Sequence, residues 1–143
     1  MYYSELVRKA CWIMYDAHRE DVDKGGYPYA FHPFYLAVQM DDEESACAAL
    51  LHDVVEDHGG RYSFDGLARS GFPGTVVRAL RLLTHTEGVA YMDYVRELAK
   101  DPIARKVKMA DLRHNLDARR LNGARPGKYG QYLQALQYLE SME

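Results

Sequence analysis

Apolar residues recur at intervals of three and four along almost the whole chain, the spacing that places side chains on one face of an α-helix. The pattern is clear at residues 6–17, 34–40, 45–55, 76–83, 90–98, 103–116 and 132–139. Alternation of apolar and polar residues, which is typical of a half-buried strand, is missing between the turn signals. The sequence therefore predicts an all-α fold, a compact helical bundle of roughly six to eight helices.

The chain has 143 residues, close to the usual size of one domain. No internal repeat or polar linker divides it, so we predict a single domain over residues 1–143. The sequence contains no apolar run long enough to cross a bilayer, and its first residues lack the apolar segment of a signal peptide. These features predict a cytoplasmic location.

The net charge of −3 hides an uneven distribution of charged residues. Residues 101–130 contain eight Lys or Arg and three Asp, a net charge of +5, which leaves −8 for the rest of the chain. An acidic part can supply metal ligands, and a basic part can hold phosphate groups. Nucleic-acid binding is disfavoured, because the basic residues are interleaved with Asp111 and no docking motif is present.

A His-Asp pair is followed one turn later by a Glu-Asp pair in the helix predicted over residues 45–58. At about 100° per residue, these four ionisable side chains fall within about 140° of one another on the helical wheel. They are His52, Asp53, Glu56 and Asp57. Imidazole and carboxylate groups together bind divalent transition metals, and the later pair can orient or deprotonate a water molecule. The alternative interpretation is that these side chains form a solvated acidic surface that binds no metal. This segment alone does not distinguish the two interpretations.

A second polar stripe runs along the helix predicted over residues 102–120. It contains Lys108, Asp111, Asn115 and Arg119. The Asp can complete a metal site, while the amide and the cationic groups can bind hydroxyl groups and phosphate oxygens. With a further histidine at a loop–helix junction, the candidate metal ligands are His32, His52, Asp53 and Asp111. Two His and two Asp suit Mn²⁺, Fe²⁺ or Zn²⁺.

The order of these four ligands resembles the signature of the HD superfamily of metal-dependent phosphohydrolases. Residues 48–57 (AALLHDVVED) and 107–115 (VKMADLRHN) look like the hydrolase domain of RelA/SpoT proteins. The chain is also similar in length to the small alarmone hydrolases, including the Mesh1 type. The resemblance runs from residue 5 to residue 120, roughly, and so covers most of the chain.

This resemblance implies an HD-type helical bundle with a divalent metal, usually Mn²⁺, held by the four candidate ligands. It implies that Glu56 and Asp57 orient or deprotonate the attacking water and that Asn115 contacts the nucleotide ribose. The implied reaction is hydrolysis of the 3′-pyrophosphate of (p)ppGpp, which gives GDP or GTP and pyrophosphate. Lys108 and Arg119 are further candidates for holding the substrate.

One position departs from the family pattern. Where the family commonly has an Arg that lies against the guanine base, this chain has Asp23, with Lys24 beside it as a candidate substitute. Lys does not stack on a base as Arg does. The first interpretation is a (p)ppGpp pyrophosphohydrolase. The alternatives are an HD phosphatase for another phosphorylated nucleotide, such as NADPH or a nucleoside phosphate, and a non-catalytic or antitoxin-like domain that binds an alarmone.

The expected partner is therefore a phosphorylated nucleotide. We expect neither a nucleic acid nor a membrane as a partner. The sequence is compatible with an oligomer and does not define one.

Overall fold

The computed structural model describes residues 1–143 and contains nine α-helices with no β-strand. The helices are α1 (Glu5–His18), α2 (Phe31–Val38), α3 (Glu43–Leu51), α4 (Val54–His58), α5 (Phe64–Arg69), α6 (Gly74–Leu83), α7 (Tyr91–Leu98), α8 (Pro102–Asn115) and α9 (Tyr129–Glu140), and a 3₁₀ turn (Ala118–Leu121) lies between the last two. The all-α prediction is confirmed. The number of helices exceeds the predicted range for two reasons. The helix predicted over residues 45–58 is divided into α3 and α4, and the short helix α5 was not among the predicted segments.

Side chains that cap the helix starts account for several of these boundaries. Ser63 and Asp101 have side chains that favour the N-cap position, and both accept hydrogen bonds from backbone N–H groups in the first turns of α5 and α8. Asp42 caps α3 in the same way. Pro33 predicts a helix that starts at its own position, whereas α2 begins two residues earlier, at Phe31.

Helix α3 is the centre of the hydrophobic core. The core is one cluster of 33 buried residues, and every residue from Ser45 to Leu51 is buried. Helices α1, α2, α6 and α8 all pack against α3. The small side chains of Ala46, Ala48 and Ala49 allow this close packing on several sides. The position of the histidine that follows α3 is therefore fixed by the core.

The helix predicted over residues 45–58 is interrupted at its His-Asp pair. Helix α3 ends at Leu51, α4 begins at Val54, and Asp53 between them has φ −109° and ψ 0°. These angles lie outside the α-helical region, in the sparsely populated region where active-site residues are often found. The wheel angles predicted for a continuous helix are therefore wrong beyond His52.

Helix α8 ends at Asn115, five residues before the predicted end. Asp117 follows, and its side chain accepts a hydrogen bond from the backbone N–H of Arg119 at the start of the 3₁₀ turn. The polar stripe predicted over residues 102–120 therefore stops at Asn115.

None of the helices combines the length and the apolar character needed to span a membrane.

Candidate active site

The four candidate metal ligands come together where α2, the end of α3 and α8 meet. His32 Nε2 lies 2.8 Å from Asp111 Oδ1. His52 Nε2 lies 3.1 Å from Asp53 Oδ2 and 3.6 Å from Asp111 Oδ1. The ligand atoms of His32, His52 and Asp53 all lie within 4.8 Å of one another. The predicted convergence of these side chains is thus present in the structure.

His52 has the orientation of a metal-binding histidine. Its Nδ1 donates a hydrogen bond of 2.7 Å to the carbonyl oxygen of Ala49, whereas its Nε2 is buried without a hydrogen-bond partner. Burial lowers the pKa of His52, but the Asp53 and Asp111 carboxylates outweigh burial and hold it well above its ordinary value. An unpartnered nitrogen beside two carboxylates fits a divalent cation, which would replace the imidazolium proton.

The carboxylates of the group are ionised. Burial alone would raise the pKa of Asp53, but the neighbouring charge of His52 outweighs burial and lowers the value to about 2. The hydroxyl group of Tyr29 also donates a hydrogen bond to Asp53. Burial likewise opposes ionisation of Asp111, whose pKa is held well below its usual range by the Lys108 cation and by His32 and His52. Both carboxylates can therefore act as metal ligands.

His114 forms a hydrogen bond with His32, a contact that the sequence analysis did not predict. The two imidazole rings are nearly parallel with centroids 5.0 Å apart, and their Nδ1 atoms are 2.7 Å apart. Burial and the neighbouring Arg120 lower the pKa of His114 to about 4, so its ring is neutral and accepts a hydrogen bond from His32 Nδ1. His32 Nε2 is then the ligand nitrogen. No local sequence pattern links His114 to His32, which stands 82 residues earlier in the chain.

Lys108 and Asn115, both predicted to hold substrate, contact Asp111. Lys108 Nζ lies 2.8 Å from Asp111 Oδ2, and Asn115 Nδ2 lies 3.1 Å from Asp111 Oδ1. The ammonium group of Lys108 is also close to the rings of Tyr91 and Tyr94, at 6.0 and 5.5 Å from their centroids. Lys108 therefore fixes the orientation of Asp111 and also lines the cleft.

Glu56 and Asp57 project from α4 into the same cleft. This cleft has a volume of about 320 Å³, and three of the metal ligands line it, namely His32, Asp53 and Asp111. Its other lining residues are Tyr29, Lys108, Asn115 and Tyr132. Burial and the charges of Asp53 and Glu56 raise the pKa of Asp57 to about 6. Burial and Asp53 also raise the pKa of Glu56, which accepts a hydrogen bond of 3.3 Å from the backbone N–H of His85. A carboxylate whose pKa lies near neutrality is suited to accept a proton from water.

A second cavity, of about 250 Å³, shares Tyr29, Asn115 and Tyr132 with the cleft. Its other lining residues are Val22, Asp23, Lys24, Gly25, Arg120, Leu121 and Pro126. Apolar walls with a few polar groups are typical of pockets for small organic ligands. We call this cavity the side pocket.

Asp23 does not present a free carboxylate to the side pocket. Its Oδ1 accepts hydrogen bonds of 2.9 Å from the backbone N–H groups of Gly25 and Tyr27, and its Oδ2 lies 3.4 Å from Arg120 Nη2. Arg120 Nη1 donates a second hydrogen bond, of 2.9 Å, to Asn115 Oδ1. Sequence reasoning missed Arg120, although it directly follows Arg119, the last residue of the predicted stripe.

The two remaining predicted substrate-binding residues differ in position. Lys24 lines the side pocket, and its role stays a prediction. Arg119 is not brought to the cleft, because α8 ends before it. Its side chain is 87% exposed and pairs with Asp117, Nη2 to Oδ2 at 2.7 Å. Its expected place on the polar stripe is therefore wrong.

Comparison with curated proteins finds relatives among enzymes of guanosine tetraphosphate metabolism. The bifunctional (p)ppGpp synthase/hydrolase SpoT of Escherichia coli is 28% identical over 137 residues, which cover 85% of this chain and 19% of SpoT. A GTP pyrophosphokinase of Streptomyces coelicolor is 33% identical over 118 residues, 69% of this chain and 13% of that protein. The chain thus spans less than a fifth of the length of these relatives. No model of a protein family matches it.

Among solved structures, a metazoan ortholog of SpoT that is described as hydrolysing ppGpp and as having a role in starvation responses has the same fold. It superposes with a TM-score of 0.75 at 24% identity, over 97% of this chain and 85% of that one. In sequence and in fold, the chain resembles the HD-type ppGpp hydrolases of the RelA/SpoT group, as its motifs predict.

Proposed function

We propose that this protein is a metal-dependent (p)ppGpp 3′-pyrophosphohydrolase of the small alarmone hydrolase type. One observation carries the proposal: three candidate metal ligands, His32, Asp53 and Asp111, line one cleft with two carboxylates of raised pKa. The fourth ligand, His52, adjoins this group, with its Nε2 3.1 Å from Asp53 Oδ2. The side pocket opens beside that cleft and offers aromatic rings and a guanidinium group to a nucleoside. The similarity to SpoT, named for (p)ppGpp hydrolysis, supports this phosphorylated nucleotide as the substrate.

His32, His52, Asp53 and Asp111 would hold the divalent ion, and we propose Mn²⁺ from the family resemblance. The donor set suits this ion, and the unpartnered Nε2 of His52 supports a cation at this position. When bound, a divalent cation polarises a phosphoryl oxygen and makes a water molecule more acidic.

The chain's own residues would carry the proton transfer and the binding of substrate. Asp57 accepts a proton from the attacking water, and Glu56 orients that water from the same face of the cleft. The water oxygen forms a bond to the phosphorus attached to the ribose. The bond from that phosphorus to O3′ breaks, and O3′ takes a proton. The products are pyrophosphate and either GDP or GTP. Lys108 offsets the negative charge of the phosphates, and Asn115 is placed to contact the ribose.

Asp23 was the reason to consider other phosphorylated nucleotides. Because its carboxylate is bonded to two loop N–H groups and to Arg120, it leaves a guanidinium rather than a free anion beside the side pocket. This arrangement supports (p)ppGpp over the alternative nucleotides. The product analysis described next would also detect hydrolysis of those alternatives.

The test is product analysis with ppGpp and a panel of phosphorylated nucleotides, with and without Mn²⁺. We expect GDP and pyrophosphate in equal amounts from ppGpp, and loss of both in Asp53→Ala and Asp111→Ala. Asp65→Ala is the matched control, because that exposed carboxylate lies on α5 and pairs only with Arg81. Release from another nucleotide but not from ppGpp would keep the reaction class and overturn the alarmone assignment. No release from any of them would overturn both.

We also propose that residues 1–143 act as one domain. The cytoplasmic location and the exclusion of nucleic-acid and membrane partners stay predictions from the sequence.

A further inference from the structure

A second group of histidine and carboxylate side chains lies outside the four ligands of the cleft. It consists of His18 at the end of α1, Asp21 in the following loop and His58 at the end of α4. Asp21 Oδ2 lies 3.0 Å from His18 Nδ1 and 2.6 Å from His58 Nε2. The ligand atoms of the three residues all lie within 4.8 Å of one another. We propose that this group binds a second divalent transition-metal ion, with Zn²⁺ as the ion that suits it best.

The chemistry of the three side chains fits such an ion. Two imidazoles and one carboxylate form a ligand set used by zinc sites that keep a further position open for water. Burial lowers the pKa of His18, and hydrogen bonds from His58 and His18 lower the pKa of Asp21. A neutral imidazole and an ionised carboxylate are the forms that bind metals.

The hydrogen bonds of the group support the same conclusion. His18 is buried, and its Nδ1 and the Nε2 of His58 converge on one oxygen, Asp21 Oδ2. A divalent cation bound by these three atoms would replace the protons that now lie between the ring nitrogens and the carboxylate. His18 would therefore bind the ion through Nδ1, because this is the ring nitrogen that contacts Asp21.

The charge around the group also favours a cation. A surface cleft here is lined by four carboxylate residues and one histidine, namely Glu20, Asp21, Glu56, Asp57 and His58. This cleft shares Tyr29, Glu56 and Asp57 with the catalytic cleft. The ring centroid of Tyr29 is 4.8 Å from that of His18, and its hydroxyl donates a hydrogen bond to Asp53. A cation held by His18, Asp21 and His58 would offset this negative charge where an anionic substrate enters.

The test counts bound ions and needs no activity. The full-length protein is stripped with a chelator, dialysed against Zn²⁺ and analysed for metal per chain, with titration calorimetry on the same samples. We expect two Zn²⁺ ions per wild-type chain. Asp21→Asn and His58→Asn should each bind one, and His52→Asn should bind one at the second site.

Two variants are used because either could perturb folding, and circular dichroism and thermal melting check each sample. Both changed side chains are partly exposed, so the buried His18 stays in place. Asp16→Asn is the matched control, an α1 carboxylate that pairs with Arg61 and Tyr62, and it should still bind two ions. One ion per wild-type chain, or two ions in folded Asp21→Asn and His58→Asn, would overturn the proposal. The three side chains would then be a hydrogen-bonded group that binds no metal.

Discussion

Arg120 Nη2 lies 3.4 Å from Asp23 Oδ2, although 97 residues separate the two along the chain. Asp23 stands where related sequences commonly place the arginine that lies against the guanine base. The two side chains are only 18% and 10% exposed, so this ion pair is shielded from solvent. A guanidinium is thus kept beside the side pocket, but it comes from the 3₁₀ turn after α8 instead of from the loop before α2.

Replacement of Arg120 should therefore weaken substrate binding. We expect Arg120→Ala to raise KM for ppGpp by about tenfold, which corresponds to about 1.4 kcal/mol, with a smaller change in kcat. The reason is the loss of a group that can stack on a base, together with an unpaired Asp23 carboxylate left at the pocket. Steady-state kinetics with ppGpp measures the effect.

Arg119→Ala is the matched control, because the neighbouring arginine is exposed and pairs with Asp117 outside the cleft. It should leave KM within about twofold of wild type, since exposed ion pairs contribute little. A larger effect from Arg119→Ala than from Arg120→Ala would contradict the structural assignment and restore the sequence prediction.

The rate should depend on the ionisation of Asp57. Burial and the charges of Asp53 and Glu56 raise the pKa of Asp57 to about 6. Because the deprotonated carboxylate accepts the proton, kcat should fall as the pH drops through this region. A pH profile at saturating metal and substrate measures this acid limb. Bound metal stabilises the carboxylate and shifts the limb to lower pH.

Asp57→Asn should lower kcat at every pH by about 10²-fold or more and remove this acid limb. Asp65→Asn, on the surface of α5, is the control and should keep the wild-type profile. An unchanged acid limb in a folded and partly active Asp57→Asn protein would show that another group is the base.

His114 should tune metal affinity without being a ligand itself. It accepts a hydrogen bond from His32 Nδ1 and stacks on the same ring. His114→Ala should weaken Mn²⁺ binding by about 10–100-fold, the usual effect of losing a group that orients a ligand. Arg113→Ala, a change to the preceding exposed residue that pairs with Glu140, should leave affinity unchanged. Titration calorimetry or Mn²⁺ electron paramagnetic resonance gives both affinities, and equal affinities would contradict this role.

The sequence predicted the all-α fold because helix formation depends on local patterns. The metal-binding role of the four candidate ligands stays a prediction. The helical spacing and the caps at Ser63 and Asp101 are encoded within a few residues of each boundary. The break at Asp53 was not predictable, because the apolar pattern of residues 50–55 continues across it.

Long-range contacts explain the other differences between prediction and structure. A helical wheel continued past Asn115 placed Arg119 on the stripe, whereas the Asp117 cap redirects the chain and brings Arg120 to Asp23. The bond between His32 and His114 joins residues 82 positions apart, so no local pattern contains it. Such contacts follow from the packing of α2 against α8, which the spacing of apolar residues does not specify.

Gly25 fixes the position of the turn that carries Arg120. A Cβ at residue 25 would lie 1.9 Å from the carbonyl oxygen of Arg120, a backbone atom that cannot rotate away. Gly25→Ala should therefore push the loop and the 3₁₀ turn apart, lowering the free energy of unfolding by about 1–3 kcal/mol and raising KM for ppGpp. Gly130→Ala is the control, since its Cβ meets nothing within 4 Å and its helical position favours Ala. Because Gly25 would act through Arg120, KM of the Gly25→Ala/Arg120→Ala double variant should equal that of Arg120→Ala alone, and additive effects on KM would show that the two residues act independently.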